Sequence, residues 1–255
     1  MSGPNVGRPA TATPVPATDA PAPATGVATR PSAVLFDWDG TLADSLALFF
    51  GANVAVMREL DVPFDEALYR RHYTADWRVA YRRLGVPEER LEEAAERWRR
   101  HFDDRVIETR PLPGACEAVE RLGAAGIAVG IVTAGDRRIV EPQLEAFGLA
   151  GIVSAAVYRD DLEATKPDPT PLLRALELLG LDGQPEKAAY LGDAPDDMRM
   201  ARAVGCRAIG VRSMLADEAD LRAAGAQEVT GSVAAWVAGL LGDDGRRHAG
   251  ARPNR

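Results

Sequence analysis

Residues 33–41 are AVLFDWDGT and contain the most informative pattern of this 255-residue chain. The apolar run 33–36 predicts a buried strand, and the glycine at position 40 predicts a turn directly after it. Asp37 and Asp39 place two carboxylates at this junction, where their negative charges repel each other. A divalent cation, with one carboxylate as nucleophile and the other as acid/base, would explain why both are present.

From residue 111 onward, short apolar runs alternate with amphipathic segments of helical period. This alternation predicts an α/β fold, a three-layer Rossmann-like core in which helices cover both faces of a mainly parallel sheet. The predicted strands are 33–37, 127–132, 152–157, 187–191, 207–211 and a weaker one near 226–229. The predicted helices lie near 114–124, 135–147, 169–179, 196–204 and 231–241.

The stretch 46–108 interrupts this alternation, because its apolar spacing is helical and it contains no strand-like block. We therefore predict a small α-helical cap there, inserted between the first two strands and placed over the carboxyl ends of the sheet. The catalytic core is then formed by 32–45 and 109–241. Residues 1–31, rich in Pro, Ala and Thr, and residues 242–255 are expected to be a disordered leader and tail.

Composition restricts the class of protein. Apolar residues make up 46% of the chain, enough for a substantial core, and the formal net charge is -8. That charge argues against nucleic acid or an anionic membrane as a partner. The two cysteines, Cys116 and Cys206, lack the spacing of a disulfide framework or a zinc site, and no apolar stretch is long enough to span a bilayer. A cytoplasmic location is expected.

Polar side chains follow the first four predicted strands. These residues are Asp37, Asp39, Thr133, Lys166, Asp193 and Asp197. Each has an ordinary explanation when taken alone, such as a turn, a helix cap, a solvated cation or acids at a helix N-terminus. Because parallel strands end at the same edge of a sheet, we expect these side chains to form one ligand site.

The residue types in this set suit phosphoryl transfer. The carboxylates of Asp37 and Asp193, with the main-chain carbonyl of Asp39, are the hard oxygen ligands that Mg2+ prefers. Asp37 is expected to attack phosphorus and form an aspartyl phosphate. Asp39 is expected to protonate the leaving alcohol and then to deprotonate the attacking water.

Three further groups are candidates for binding the phosphate: the Thr133 hydroxyl, the backbone N–H of Ala134 and the Lys166 ammonium. Asp197 is expected to orient Lys166 or a metal-bound water rather than to bind the ion directly.

Four segments carry a family resemblance. They are DWDGTLADS at 37–45, VTAGD at 132–136, KPDPTPL at 166–172 and GDAPDD at 192–197. In this order they resemble the four motifs of the haloacid dehalogenase-like hydrolase superfamily, and the resemblance covers roughly residues 32–230.

The helical insertion resembles that of the subfamily with a small α-helical cap, which includes phosphoglycolate phosphatase-like enzymes. This resemblance implies an Mg2+-dependent phosphatase with Asp37 as nucleophile, Asp39 as acid/base, and the metal and phosphate ligands named above. Dehalogenases generally lack an acid at the position of Asp39. Phosphonatases carry Ala there and use a lysine of the cap, whereas the predicted cap of this chain contains no lysine.

A basic and aromatic cluster lies within the predicted cap. It comprises Arg70, Arg71, His72, Tyr73, Trp77, Arg78, Tyr81, Arg82 and Arg83. Arg78, Tyr81 and Arg82 are the candidates for substrate contacts, because arginine binds anionic groups well. The alternative is that the cluster covers an amphipathic helix, with Trp77 and Tyr81 packing inward.

Three functions remain open from the sequence. The first is a phosphatase acting on a small phosphorylated metabolite, the second is a phosphotransferase or mutase of the β-phosphoglucomutase type, and the third is a binding protein without catalysis. The metabolite itself is not predicted. The chain is expected to be a monomer or a homodimer.

Overall fold

The computed structural model describes residues 30–103 and 106–242. The predictions of a disordered leader and tail concern residues that lie almost entirely outside these ranges.

Six parallel strands form one sheet in the order β3-β2-β1-β4-β5-β6. Their bounds are β1 Ala33–Phe36, β2 Ala128–Val132, β3 Val153–Val157, β4 Ala188–Gly192, β5 Arg207–Val211 and β6 Glu228–Thr230. All six predicted strands are therefore confirmed, with ends that differ by at most two residues. The central strands β1 and β4 are buried along their whole length, which explains their unbroken apolar sequences.

Helices follow the strands and cover the sheet. They are α5 Ala115–Ala124, α6 Arg137–Ala146, α7 Thr170–Leu178, α8 Pro195–Val204, α9 Glu218–Ala223 and α10 Val233–Leu241. Strand β1 shows the three layers directly, because its alternate side chains enter different cores. Val34 and Phe36 pack in a cluster with α5, α6 and α10, whereas Ala33 and Leu35 pack in a cluster with α7, α8 and α9. The three-layer prediction is confirmed.

Between β1 and α5, the described residues form four α-helices. They are α1 Leu46–Glu59, α2 Glu66–His72, α3 Trp77–Arg83 and α4 Leu91–Asp103. We call this segment the helical insertion. It has a core of its own, to which Val56, Met57, Tyr81 and Leu91 contribute. No helix in the described part of the chain is long and apolar enough to cross a membrane.

The helical insertion contacts the core at the edge where the strands end. In the connection between α2 and α3, the Thr74 hydroxyl and the Ala75 N–H both donate to Asp196 Oδ2, at 2.6 and 3.1 Å. Asp196 is in the first turn of α8, directly after β4, and its carboxylate is buried. Arg70 of α2 adds an exposed ion pair to Asp217 at 2.8 Å. The insertion therefore lies beside the loops that carry the predicted site.

Candidate active site

The strand order brings the predicted site residues together. Strand β1 lies between β2 and β4, and all three run in the same direction. Asp37, Thr133 and Asp193 each follow one of these strands directly, so their side chains lie at one edge of the sheet. Lys166 joins them from the loop after β3, and all four are buried.

Lys166 connects two carboxylates at the centre of this edge. Its Nζ lies 2.6 Å from Asp37 Oδ1 and 2.8 Å from Asp197 Oδ1. Asp197 also accepts from the Tyr190 hydroxyl at 3.0 Å and from the Ala194 N–H at 3.1 Å. These bonds fix Asp197 and leave it well placed to hold the lysine, which is the contact expected from the sequence.

Burial shifts the protonation of both acids of the DWDGT segment. Desolvation raises the pKa of Asp37 to about 7, against the attraction of Lys166. Desolvation also raises the pKa of Asp39 to about 6, although the Ser45 hydroxyl donates to its Oδ1 at 2.6 Å and opposes the shift. A carboxyl group with a pKa near neutrality can both give and take a proton, which suits the acid/base role expected of Asp39.

Lys166 stays charged in this environment. Desolvation lowers the pKa of its ammonium, but the carboxylates of Asp197 and Asp37 more than compensate, and the pKa lies above its ordinary value. The site therefore presents a permanent, buried positive charge beside the nucleophile candidate.

The acidic residues fit a divalent cation. Carboxylate oxygens of Asp37, Asp193 and Asp197 lie within 4.8 Å of one another. Asp193 Oδ2 is buried and has no hydrogen-bond partner among the residues that the structure describes. Burial together with the charge of Asp37 raises the pKa of Asp193 well above its ordinary value. A cation would satisfy this oxygen and relieve the repulsion. Lys166, Tyr190 and a backbone N–H already contact the oxygens of Asp197. The better ligands for the ion are therefore Asp37 and Asp193.

Two phosphate-binding candidates lie beside Asp37. Thr133 is buried, and its Oγ1 accepts from the Gly135 N–H at 2.9 Å, which leaves the hydroxyl hydrogen for another acceptor. Ala134 lines a cavity together with Asp37, Asp39 and Lys166.

This catalytic cavity is small and is closed on one side by the helical insertion. Its volume is about 30 Å³, and Tyr73 and Ala75 of the insertion form part of its wall. Such a volume holds about one water molecule. A phosphate ester is larger than this volume.

The substrate candidates chosen from the insertion do not line this cavity. Arg78 pairs with Glu92 at 2.6 Å and stacks on a neighbouring tryptophan, and Arg82 pairs with Glu88 at 2.5 Å. Tyr81 is buried in the insertion, where its hydroxyl donates to Asn53 Oδ1 at 2.7 Å. Each of these side chains therefore has a partner within the insertion, and a substrate contact by any of them stays a prediction.

Three residues of the site were missed as functional candidates. Tyr73 belongs to the basic and aromatic cluster but was not singled out, although it is the aromatic residue in the cavity wall. Ser45 ends the DWDGTLADS segment, and no pattern indicated its bond to Asp39. Asp196 is one of several acids at the start of α8, and the favourable interaction of a carboxylate with a helix N-terminus is enough to explain its presence there.

The sequence of this chain matches a known protein family. The family model described as haloacid dehalogenase-like hydrolase matches residues 34–211, which include every residue of the candidate site. The chain belongs to the haloacid dehalogenase-like hydrolase family. The predicted family resemblance is thereby confirmed.

Several relatives within this family are phosphatases. A phosphoglycolate phosphatase of Chromobacterium violaceum is 31% identical over 203 residues, which span 75% of this chain and 89% of the relative. An N-acetylmuramic acid 6-phosphate phosphatase of Pseudomonas aeruginosa is 32% identical over 190 residues, spanning 72% and 82% of the two chains. The crystal structure of a hydrolase from Pseudomonas syringae, 25% identical, superposes with a TM-score of 0.71 over 82% of this chain and 98% of its own. The prediction of a phosphatase enzyme of the haloacid dehalogenase-like family is confirmed.

Proposed function

We propose that this haloacid dehalogenase-like enzyme is an Mg2+-dependent phosphatase that hydrolyses a small phosphomonoester through an aspartyl phosphate on Asp37. The observation that carries the proposal is the position of Asp37 at the end of the central strand. Lys166 contacts one of its oxygens, and Asp39, with a pKa near neutrality, lies two residues away.

Two half-reactions follow from these residues. In the first, a carboxylate oxygen of Asp37 bonds to phosphorus while the bond from phosphorus to the leaving oxygen breaks, and Asp39 gives its proton to that oxygen. In the second, Asp39 takes a proton from water as the water oxygen attacks phosphorus, and the Asp37 carboxylate is released with inorganic phosphate. Lys166, the Thr133 hydroxyl and the Ala134 N–H would hold the phosphoryl oxygens through both steps.

Asp37 and Asp193, with the main-chain carbonyl of Asp39, would hold the Mg2+ ion. The bound ion supplies positive charge that offsets the repulsion between the carboxylates and the charge on the phosphoryl oxygens. Support for this assignment comes from the unpartnered Oδ2 of Asp193 and from the clustering of three carboxylates.

Release of phosphate from p-nitrophenyl phosphate tests this function. We expect EDTA to abolish release and added Mg2+ to restore it. If release persisted unchanged in EDTA, the metal assignment would fail. If isomerised product exceeded free phosphate with a sugar phosphate substrate, the enzyme would be a mutase and not a phosphatase.

The Asp193→Asn variant is expected to need more Mg2+ than wild type. The half-activating Mg2+ concentration should rise at least about tenfold, because a neutral amide is a weaker ligand for a hard cation than a carboxylate. A titration of phosphate release against Mg2+ measures this change. Asp182→Asn, at an exposed position, is the matched control and should give the wild-type curve. An Asp193→Asn curve identical to that of wild type would contradict the proposed ligand set.

Gly40→Ala should also weaken metal activation. Gly40 has φ +76°, and a Cβ there would lie 2.4 Å from Asp193 Oδ2, so the carboxylate would be pushed from its place. Gly85→Ala is the control, because Gly85 has φ +94° and a Cβ added to it would have no atom of the described residues within 4 Å. Both variants should lose about 1–2 kcal/mol of stability from backbone strain. Only Gly40→Ala should raise the half-activating Mg2+ concentration; equal curves for the two variants would contradict this role of Gly40.

The partner, the cellular location and the oligomeric state are also proposed. A small phosphorylated metabolite is the expected partner because Lys166 and the proposed Mg2+ ion would offset the negative charge of its phosphate. Two relatives are named as phosphatases of such compounds. A cytoplasmic location agrees with the two unpaired cysteines. The oligomeric state is proposed to be a monomer or a homodimer.

A further inference from the structure

A second and larger cavity adjoins the catalytic one. This open groove has a volume of about 540 Å³ and lies between α3, the loop that carries Lys166, and the first turns of α8. Lys166 and Asp196 line both spaces, so the groove begins where the catalytic cavity ends. The hydrogen bonds from Thr74 and Ala75 to Asp196 lie at this boundary.

Each carboxylate of the groove already accepts at least one hydrogen bond. Asp76 accepts from the first backbone N–H groups of α3, at 3.0 and 3.3 Å, and Asp168 accepts from the Thr170 N–H at 2.8 Å. Asp196 is held by the connection between α2 and α3 on one oxygen and by Arg199 at 2.9 Å on the other. Asp196 is thus neutralised by Arg199, whereas Asp76 and Asp168 keep their negative charge, which the N-terminus of the adjacent helix, α3 or α7, partly offsets.

The positively charged side chains of the groove differ in whether a carboxylate already pairs with them. Lys166 pairs with Asp37 and Asp197, and Arg199 pairs with Asp196. Arg83, the last residue of α3, lines the groove and has no ion pair or hydrogen bond to any residue that the structure describes. Among the described residues that line the groove, Arg83 is thus the cation that has no carboxylate partner.

The neighbouring arginine provides a contrast. Arg82 precedes Arg83 on the same helix, but two bonds to Glu88 hold it outside the groove. A favourable interaction with the negative end of the helix would apply to both residues. Only Arg83 combines that position with a place in the groove wall.

We infer that the groove receives the leaving group of the substrate and that Arg83 determines specificity by binding an anionic group on it. This inference rests on the proposed phosphatase function. Pockets for small molecules have volumes of roughly 300–1,000 Å³, so the groove suits a sugar-sized leaving group. A leaving group of two carbons would fill only a small part of it. Arginine forms paired bonds with either a carboxylate or a second phosphate. The substrate class is therefore a sugar-sized phosphomonoester that carries a second anion.

Two matched substrate pairs test this inference. N-acetylmuramic acid 6-phosphate and N-acetylglucosamine 6-phosphate differ by a carboxylate-bearing group, and glucose 1,6-bisphosphate and glucose 6-phosphate differ by a phosphate. We expect wild type to prefer the anionic member of at least one pair by about tenfold in kcat/KM, the size of one charge-assisted contact. The identity of that pair distinguishes carboxylate from phosphate recognition.

Arg83→Ala should remove this preference by lowering kcat/KM for the anionic member about tenfold, and its thermal unfolding curve shows whether the variant is folded. Arg83→Lys should retain part of the preference, and Arg82→Ala should retain all of it. The inference is overturned if wild type prefers neither anionic member, if Arg83→Ala keeps the preference, or if Arg82→Ala loses it equally. Failure of the phosphatase function itself is distinguishable, because p-nitrophenyl phosphate would then also yield no phosphate.

Discussion

Replacing Asp37 with asparagine is expected to reduce phosphate release at least about 10³-fold while leaving the protein folded. The amide is a poor nucleophile and cannot form the acyl phosphate, so the first half-reaction is lost. The same change removes one of three clustered carboxylates, and Lys166 keeps its ion pair with Asp197. Thermal stability should therefore be equal to that of wild type or higher, as is common when a strained functional charge is removed.

Steady-state release of phosphate and a thermal unfolding curve measure these two effects. Asp44→Asn is the matched control, because Asp44 belongs to the same segment but is exposed, and it should retain wild-type activity. Comparable activity in Asp37→Asn and wild type would contradict the assignment of the nucleophile. A large loss of stability in Asp37→Asn would contradict the claim that the carboxylate is present for function.

The effect of Asp39→Asn should depend on the leaving group. An alkyl phosphate needs a proton on its departing oxygen, so loss of the general acid should lower kcat by about 10²–10⁴-fold. A p-nitrophenolate ion departs without that proton, so the first half-reaction of the aryl ester should be much less affected. The aspartyl phosphate should then accumulate, since Asp39 is also the base that activates water.

Single-turnover kinetics with p-nitrophenyl phosphate separate the two steps, because the burst of p-nitrophenol reports the first and phosphate release reports the second. Ser45→Ala is the companion variant. It removes the hydroxyl that donates to Asp39 at 2.6 Å but leaves the carboxyl group, so a loss smaller than that of Asp39→Asn is expected. Equal losses in the first half-reaction for alkyl and aryl substrates in Asp39→Asn would contradict a proton-transfer role in leaving-group departure.

The strands and the core of the site were predictable for a common physical reason. Short apolar runs buried on both faces give a strong pattern, and β1 and β4 are such runs. Once the strands are parallel, the residues after them must meet at one edge, which predicts that Asp37, Thr133 and Asp193 are neighbours. Helix α9 was missed because its six residues are too few to show a period, although Asp217 caps it through the Asp220 N–H.

The contacts of the helical insertion were not predictable in the same way. Arg82 and Arg83 are adjacent, but successive residues on a helix point about 100° apart. Sequence pattern gives that angle without showing which direction faces the core. The direction depends on packing between the insertion and α8, where buried Asp196 binds the connection between α2 and α3. No local pattern predicts such a contact between residues more than a hundred positions apart.

Chemical trapping of the aspartyl phosphate tests the proposed mechanism most directly. The Asp39→Asn variant is mixed with p-nitrophenyl phosphate and Mg2+, reduced with borohydride, digested and analysed by mass spectrometry. Borohydride converts an acyl phosphate of aspartate to homoserine. The mechanism predicts homoserine at position 37 and nowhere else, with none formed when substrate is omitted. Homoserine at position 193, or a burst of p-nitrophenol without any homoserine at position 37, would contradict it.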